Sequence, residues 1–243
     1  MSAVDVKNLT FSFACSEPVL NDISMAVSAG EVLVIAGLSG SGKTTLCRIL
    51  SGVIPHVIKG SVDGHINVAG IDPGAAGVSQ TALRAGFVFQ DADDQIVCST
   101  VEDELAFGLE NLCLPPDEIR MRVDGLAAEF GFGSLLHTNT AHLSGGQKKL
   151  LTIAAVLAPS PPVLILDEPM SSLDIDGRGL VRTAIERQRE LGRAVIIVEH
   201  DLELVTFADK WLVLEEGRVF IHDTPADILS DRKDLLIKAG VWE

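Results

Sequence analysis

The sequence predicts an α/β protein whose core is a mainly parallel β-sheet. Two observations support this fold class. From residue 163 onward, β-type runs alternate with a helical stretch at 176–191, a pattern typical of parallel strands joined by helical crossovers. These runs are VLILD, AVIIVEH, WLVL and RVFIH. The middle of the chain is predominantly helical instead, which indicates an insertion into the α/β core.

Strands are also predicted for most of the first third of the chain. The β-type runs here are VDVKNLTFSF, ISMAVS, EVLVIAG and GHINVAG. Glycines and the segment DPGAAG separate these runs as turns. The N-terminal part is therefore expected to be rich in β-strand.

The helical middle is predicted for residues 101–136. Apolar residues recur there at helical spacing: Ile119, Val123, Leu126, Ala127 and Phe130. Pro115 and Pro116 mark a break before this series, because proline cannot continue a helix that precedes it. We therefore expect this part of the chain to be predominantly helical.

Composition and charge exclude some classes of function. Apolar residues make up 47% of the 243 residues and charged residues 22%, which is typical of a globular protein. The 19 basic and 34 acidic residues give a formal net charge of −15. Nucleic acids and anionic lipids are bound mainly through Lys and Arg, so this balance disfavours both partners. A basic protein partner would be attracted, and the alternative is that the acidic excess only keeps the fold soluble.

No membrane-spanning segment is predicted, although the mean hydropathy of +0.32 is high. The longest apolar stretch, Leu150 to Ala158, is far shorter than the about 20 residues that a spanning helix needs. The N-terminal MSAVDVKN has neither the basic start nor the apolar core of a signal peptide. We expect a cytoplasmic protein. A large surface for a partner is one explanation of its apolar excess.

Four apolar runs end abruptly in a turn or in polar residues. VLVIA precedes Gly37, GFVF precedes Gln90, VLIL precedes Asp167 and Glu168, and AVIIV precedes Glu199 and His200. In an open parallel sheet, ligands bind beyond the carboxyl ends of the strands. If the four strands are parallel neighbours, their ends form one site.

The first of these strand ends carries a phosphate-binding loop. Gly37-x-x-x-x-Gly42-Lys43-Thr44 matches the P-loop at every fixed position. Its backbone N–H groups and the following helix N-terminus would bind phosphate oxygens, Lys43 would reach the β- and γ-phosphates, and the Thr44 hydroxyl would bind Mg²⁺. The predicted nucleotide-binding residues of this loop are Gly37, Ser39, Gly40, Ser41, Gly42, Lys43, Thr44 and Thr45.

The other strand ends supply candidate metal-binding and catalytic residues. Asp167 has the character of a Walker-B carboxylate that completes the Mg²⁺ shell. Glu168 follows it directly and is predicted to accept the proton of an attacking water, with Glu199 as the rival base. Gln90 suits a role at the metal and the water, and His200 suits a hydrogen bond to a γ-phosphate oxygen.

A second glycine-rich cradle lies in LSGGQ, about a hundred residues after the first. Ser144, Gly145, Gly146 and Gln147 precede or open a predicted helix, so hydroxyl and N–H groups would face an anion there. One nucleotide at the P-loop does not fill both cradles of one chain. Two chains packed head to tail would form two shared sites, each with the P-loop of one chain and the LSGGQ of the other.

In their order, these motifs resemble the ATP-binding-cassette (ABC) ATPase subunits. The resemblance rests on the P-loop, Gln90, LSGGQ, VLILDEP, the run SSLD and His200, and it covers nearly the whole chain. It implies a single P-loop NTPase domain over residues 1–243, with an antiparallel N-terminal β subdomain and a helical subdomain at about 91–158. It also implies that Asp174 communicates across the dimer and that Phe13 stacks on adenine, where many relatives have Tyr. A core role for Phe13 is the alternative.

A narrower resemblance connects FVFQDADDQIVCSTVEDELAFG with the ATPases of energy-coupling factor (ECF) transporters, which import vitamins, cobalt and nickel. That resemblance implies that Asp93, Asp94 and Gln95 border a groove for arginine-bearing helices of a membrane T protein. A solvated acidic loop is the alternative, and Asp91-Ala92 replaces the usual Asn-Pro.

The sequence therefore predicts an Mg²⁺-dependent ATPase that energises an ECF-type importer of a vitamin or transition-metal ion. Its partners would be a second ATPase chain, identical or paralogous, a T-type coupling protein and a substrate-binding membrane subunit. This places it on the inner face of the cell membrane. The alternative is a soluble ABC ATPase acting as a switch on nucleic acid or ribosomes, which the acidic balance disfavours. A P-loop small-molecule kinase would leave LSGGQ without a purpose.

Overall fold

The computed structural model describes residues 2–238 and 240–242. The chain divides into two compact units. The first comprises Met1–Phe87, Pro161–Glu168 and Arg187–Glu243, and the second comprises Val88–Ser160 and Pro169–Glu186.

An antiparallel sheet of three strands lies in the first unit, in the order β2-β1-β4. Its strands are β1 (Ser2–Ser12), β2 (Pro18–Ser28) and β4 (Ser61–Val68). Alternate residues of β2 are buried from Ile23 onward, so one face of that part of the strand packs on the core and the other meets solvent. The β-rich N-terminal part predicted from the sequence is thus confirmed.

The larger sheet has six strands in the order β5-β6-β7-β3-β8-β9. They are β3 (Val32–Ala36), β5 (Ala85–Val88), β6 (Val163–Asp167), β7 (Ala194–Val198), β8 (Lys210–Glu215) and β9 (Arg218–Asp223). Every residue of β3, β5, β6 and β7 is buried. Such continuous burial is typical of strands that have covered faces on both sides.

Most of this sheet is parallel, as the sequence predicts. Strand β3 pairs in parallel with β7 and β8, and β6 pairs in parallel with β7. The alternation of strands and helices does not extend to the last two strands, because β8 and β9 form an antiparallel hairpin. Glu216 and Gly217 connect them with φ angles of 47° and 73°, which is the backbone of a tight two-residue turn.

The helices of the first unit are mostly short. They are α1 (Lys43–Leu50), α2 (Val53–His56), α3 (Pro73–Ala76), α4 (Val78–Ala82), α9 (Pro225–Asp231) and α10 (Lys233–Lys238). Helix α8 (Ile175–Glu190) has its residues up to Glu186 in the second unit, and it agrees with the predicted helical stretch at 176–191.

The second unit contains the predicted helical middle of the chain. Its helices include α5 (Val101–Asn111), α6 (Pro116–Glu129) and α7 (Gly145–Leu157). Helix α5 begins at the N-cap Thr100, whose hydroxyl accepts a hydrogen bond from the amide of Asp103, and acidic residues of its first turn complement the helix dipole. Helix α6 begins at Pro116, so the predicted break at the two prolines is where the chain turns between helices.

Helix α5 packs against both α6 and α7. The residues that it buries include Val101, Leu105 and Leu109, which lie on one face at the expected helical spacing. Within residues 2–238 and 240–242, the structure has no helix with the length and hydropathy that a bilayer crossing requires.

Candidate functional site

The strands with polar ends are consecutive neighbours in the large sheet, in the order β5-β6-β7-β3. Within the first unit, the register aligns three of these ends. Val198 of β7 pairs with Asp167 on one side and with Ile35 on the other. Gly37, Glu168 and His200 follow these aligned positions by one or two residues, so the three polar strand ends lie at one edge of the sheet.

The P-loop has a backbone that only glycine can adopt at two positions. Gly37 has φ 146°, and a Cβ atom there would lie 2.3 Å from the carbonyl oxygen of Leu214. Gly42 has φ 103°, and a Cβ atom there would lie 2.5 Å from Cδ2 of Leu20. Both contacts are too short for a side chain, which explains the two glycines as requirements of the loop.

The loop carries a buried cation next to carboxylates. Lys43 is only 6% exposed, and its Nζ donates hydrogen bonds to the carbonyl oxygens of Gly37 at 2.8 Å and Leu38 at 2.9 Å. Burial lowers the pKa of the Lys43 ammonium from its usual value, whereas the nearby carboxylates of Glu168 and Asp167 act in the opposite direction. The loop thus holds its positive charge inside a cradle of backbone groups.

The hydroxyl and carboxylate oxygens at the P-loop and at the end of β6 suit the binding of a phosphate together with a hard divalent cation. The Ser41 hydroxyl is buried without a hydrogen-bond partner among the described residues. Asp167 is 1% exposed at the end of β6, and Thr44 lies half-buried in the first turn of α1 together with Thr45. Carboxylate and hydroxyl oxygens are the ligands that Mg²⁺ prefers.

Glu168 and His200 form a pair at the same sheet edge. Nε2 of His200 lies 2.8 Å from Oε1 of Glu168, which is hydrogen-bond distance. The amide of Glu168 donates to the carbonyl oxygen of Val198 at 2.9 Å, so the backbone of β7 also holds this residue. Glu168 adopts φ 50°, a left-handed conformation that is uncommon for a residue other than glycine and is enriched at functional sites.

The rival base, Glu199, has a different environment. It is only 4% exposed, whereas the side chain of Glu168 is 16% exposed and that of His200 is 50% exposed. Its amide continues the sheet by donating to the carbonyl oxygen of Ile35. Glu168, with its exposed histidine partner, is therefore better placed to meet a solvent-derived nucleophile.

Gln90 belongs to the second unit and lies two residues after the end of β5, with its side chain exposed. Its carbonyl oxygen accepts a hydrogen bond from Nζ of Lys149 at 2.7 Å. The role of the Gln90 side chain at Mg²⁺ stays a prediction.

The second cradle is a capped helix N-terminus in the second unit. Ser144 is the N-cap of α7, and its hydroxyl accepts a hydrogen bond from the amide of Gln147. The side chain of Gln147 accepts one from the amide of Ser144 in return, which completes a capping box. The amides of Gly145 and Gly146 are the first of the helix and have no intrahelical acceptor, so they suit an anion.

Asp174 and Phe13 are both exposed. Asp174 precedes α8, and its Oδ1 accepts a hydrogen bond from the amide of Gly177 at 2.8 Å. Phe13 is 39% exposed and meets the buried ring of Phe11 edge to face, with ring centroids 4.9 Å apart. The Phe13 ring thus contacts the core through Phe11, while part of the ring remains accessible.

Two contacts of α7 were not predicted from the sequence. Lys148 forms an ion pair with Asp93 at 2.5 Å, so one of the carboxylates predicted to face a partner has an internal cation. The buried Lys149 contacts the carbonyl of Gln90. Both pairs are more than 50 residues apart along the chain, and the only available hint was two lysines directly before an apolar run.

The chain matches the model of the ABC transporter family over residues 20–171. The energy-coupling factor transporter ATP-binding protein EcfA of Methanosarcina acetivorans is 37% identical over 229 residues, which cover 94% of this chain and 82% of EcfA. An ABC transporter ATP-binding protein of Methanosarcina mazei is 34% identical over 241 residues. The chain spans only 41% of the length of that relative, and 37% of the length of a similar protein of Methanosarcina acetivorans.

A solved structure is similar over nearly the whole chain. It is that of CbiO1 from Clostridium perfringens, described as part of the ABC transporter complex CbiONQ. The TM-score is 0.83 at 35% sequence identity, and the match covers 99% of this chain and 95% of CbiO1. The predicted fold class is thereby confirmed: a P-loop NTPase fold of the ABC ATPase type, with an antiparallel β subdomain, a mostly parallel sheet and helices.

Proposed function

Because the chain belongs to the ABC transporter family of ATP-binding proteins, we propose that it hydrolyses ATP as the energy-supplying subunit of an ECF-type importer. One observation carries the proposal: the P-loop, Asp167–Glu168 and His200 lie at one edge of a parallel sheet in aligned register. The similarity to EcfA and CbiO1 supports the importer, and the substrate would be a vitamin or a transition-metal ion. We further propose that residues 1–243 form a single ABC domain with a helical subdomain at about 91–158.

ATP would bind with its phosphates in the P-loop. Gly37, Ser39 to Gly42 and the N-terminus of α1 would surround the phosphate oxygens, and Lys43 would neutralise their charge. Thr44, Asp167 and Gln90 would hold Mg²⁺, which neutralises developing charge on the phosphate oxygens when it is bound. Phe13 would stack on the adenine ring.

Glu168 would act as the general base in hydrolysis. Its carboxylate would take the proton of the attacking water, and the hydrogen bond to His200 would fix the orientation of that carboxylate. The left-handed backbone of Glu168 directly follows the last residue of β6, Asp167.

Two chains would share each nucleotide in a head-to-tail dimer. Ser144 to Gln147 of one chain would approach the γ-phosphate bound in the P-loop of the other, through the amides at the N-terminus of α7. Asp174 would contact the partner chain. Bound ATP would shift the equilibrium toward the closed dimer to the extent that it binds this state more tightly than the open one.

The membrane partners would be a T-type coupling protein and a substrate-binding subunit, which would hold the ATPase at the inner face of the cell membrane. Asp94 would receive basic side chains of the coupling protein, consistent with the acidic charge of the whole chain. Gln95 would border the same groove, although its Oε1 accepts a hydrogen bond from the amide of Phe89. Asp93 is engaged with Lys148, so Asp94 is the more available carboxylate of the two.

The test of the ATPase assignment is the substitution Glu168→Gln, with Glu199→Gln as its matched control. We expect the purified wild-type chain to hydrolyse ATP only with Mg²⁺. Glu168→Gln should bind ATP and trap a dimer while kcat falls on the order of 100-fold or more, because the general base is lost.

Glu199→Gln makes the same isosteric change at the rival carboxylate and should keep most of the turnover. If Glu168→Gln keeps the wild-type turnover, the base is wrongly assigned. The same conclusion follows if Glu199→Gln loses as much turnover as we expect Glu168→Gln to lose. A wild-type chain without Mg²⁺-dependent turnover would refute the proposed activity itself.

A further inference from the structure

Lys149 is a buried cation in the second unit that the proposed chemistry does not use. It lies in α7, five residues after the N-cap Ser144, and is 4% exposed. Burying a lysine ammonium is costly unless hydrogen bonds replace its water. A residue of this kind needs a structural or functional reason.

The ammonium of Lys149 is bound to the backbone of the segment that contains Gln90. Its Nζ lies 2.7 Å from the carbonyl oxygen of Gln90 and 3.4 Å from that of Phe89. These two carbonyls are consecutive and lie directly after β5, about 60 residues away in sequence. A charged donor on the carbonyl of Gln90 fixes the peptide plane that follows this residue, and thereby the backbone at the Cα atom that carries the Gln90 side chain.

The side chains of Gln95 and Glu104 bind other backbone amides of this segment, residues 89–98. The amide of Phe89 donates to Oε1 of Gln95 at 2.9 Å. Glu104 of α5 is 6% exposed and accepts hydrogen bonds from the amides of Val97 and Cys98. The far end of the segment is therefore fixed by α5, and its near end is fixed by α7 through Lys149.

The neighbouring Lys148 makes a different kind of contact. It reaches the same segment, but it pairs with the carboxylate of Asp93, whose side chain is 69% exposed. Exposed ion pairs of this kind contribute little, commonly about 0–1 kcal/mol. Lys148 thus provides a matched control: an adjacent lysine on the same helix that contacts the same segment without touching the backbone of Gln90.

We propose that Lys149 is a positioning residue for Gln90. It would hold the backbone of Gln90 in one orientation during turnover, and it would tie this residue to α7, the helix that presents Ser144 to the nucleotide of the partner chain. The inference rests on the proposed ATPase function and adds to it a device through which the N-terminus of α7 and Gln90 change position together. Lys149 itself would touch neither nucleotide nor metal.

The experiment is a double-mutant cycle of Lys149→Met and Gln90→Ala, measured in the full-length chain. Methionine keeps the length and apolar stem of lysine but donates no hydrogen bond. Lys149→Met should lower kcat on the order of tenfold because Gln90 is displaced, with the KM for ATP changed by less than about twofold. In the Gln90→Ala background the same substitution should change kcat by less than about twofold, because no positioned side chain remains to be lost.

Two further measurements separate positioning from a general loss of structure. Amide hydrogen exchange should become faster in residues 89–98 of Lys149→Met, while binding of an ATP analogue stays within about twofold of wild type. Lys148→Met should leave both kcat and this exchange within about twofold of wild type. If Lys149→Met does not fold, Lys149→Arg, which keeps the charge but moves the donors, takes its place in the same cycle.

Additive losses in the cycle, or a Lys149→Met chain with the wild-type kcat, would overturn the positioning role while leaving the ATPase function intact. Failure of the proposed function looks different, since the wild-type chain would then have no Mg²⁺-dependent turnover in the first place.

Discussion

At the scale of single residues, Glu168 shows how a strand end can place a carboxylate in an environment different from that of its neighbour. Asp167 still belongs to β6 and points its carboxylate into buried surroundings, whereas Glu168 leaves the strand with φ 50°. Its amide bonds to Val198 and its carboxylate to His200, so both ends of the residue are held by β7 or by the turn after it. Two adjacent carboxylates thereby acquire different environments, which would allow one to serve as the proposed metal ligand and the other as the proposed base.

Phe13 gives a prediction at this scale. Its exposed ring rests edge-on against the buried Phe11, so removal of the ring should cost adenine stacking rather than core packing. Phe13→Ala should raise the Kd for ATP on the order of tenfold, since stacking of a base on an aromatic ring contributes about 1–3 kcal/mol. Titration of the purified chain with a fluorescent ATP analogue measures this change.

Phe13→Tyr is the control, because it keeps the ring and restores the residue that the family commonly has. It should bind ATP as tightly as the wild type or more tightly. A Phe13→Ala chain with unchanged ATP affinity and a lower melting temperature would assign Phe13 to the core instead.

At the scale of elements, the sequence was most informative where chemistry follows a buried strand. The runs VLVIA, VLIL and AVIIV predicted strands whose polar ends meet, and the register of β3, β6 and β7 bears this out. The antiparallel hairpin of β8 and β9 was not distinguished from the parallel pattern. Apolar runs alone do not encode strand direction, and the deciding signal was the short turn at Glu216–Gly217.

The contacts of α7 with the segment after β5 were beyond the reach of local patterns. Lys148 and Lys149 are adjacent in sequence, yet one is paired at the surface and the other is buried against a backbone carbonyl. Which lysine turns inward depends on how α5, α7 and residues 89–98 pack in three dimensions. Motif spacing predicted the residues that we propose to contact the nucleotide, but it gave no information about Lys149, which we propose as a positioning residue.

The segment after β5 provides the prediction at the scale of elements. Asp94 is exposed, whereas Asp93 is paired with Lys148, so Asp94→Lys reverses the charge of the proposed docking surface without breaking an internal ion pair. This substitution should abolish co-purification of the integral membrane partner from the native host, because a basic coupling helix would now be repelled. The melting temperature should not change, since substitutions of exposed residues usually alter stability by about 0.5 kcal/mol or less.

Asp124→Lys is the matched control for this experiment. Asp124 is an exposed carboxylate of α6 in the same unit, and its reversal changes the net charge equally. If both variants lose the partner, the effect comes from overall charge; if neither loses it, the docking surface lies elsewhere on the chain.

At the scale of the whole molecule, the two phosphate cradles belong to different units of the chain. Lys43 of the P-loop lies in the first unit and Ser144 of the LSGGQ segment lies in the second. The two have different physical bases: the P-loop is a glycine loop with positive φ angles around a buried lysine, and the second cradle is a capped helix N-terminus. The proposed head-to-tail dimer would use each cradle once per nucleotide, and this would explain why a single chain of this size has both.

The head-to-tail arrangement predicts that two inactive variants restore activity to each other. In a homodimer of Lys43→Ala, or of Ser144→Arg, both shared sites carry a damaged cradle, so each variant alone should have negligible turnover. Mixed as equal amounts, they form heterodimers in which one site receives both damaged cradles and the other receives none. Random pairing makes half of the dimers heterodimers with one of two sites intact, so steady-state ATP hydrolysis should recover to roughly a quarter of wild type if the sites act independently.

A chain that carries both substitutions, mixed with wild type, is the control. Its heterodimers have one damaged cradle at each site and should hydrolyse no ATP. Recovery in that control mixture beyond the share of wild-type homodimers, or none in the first mixture, would mean that both cradles serve one nucleotide within a single chain.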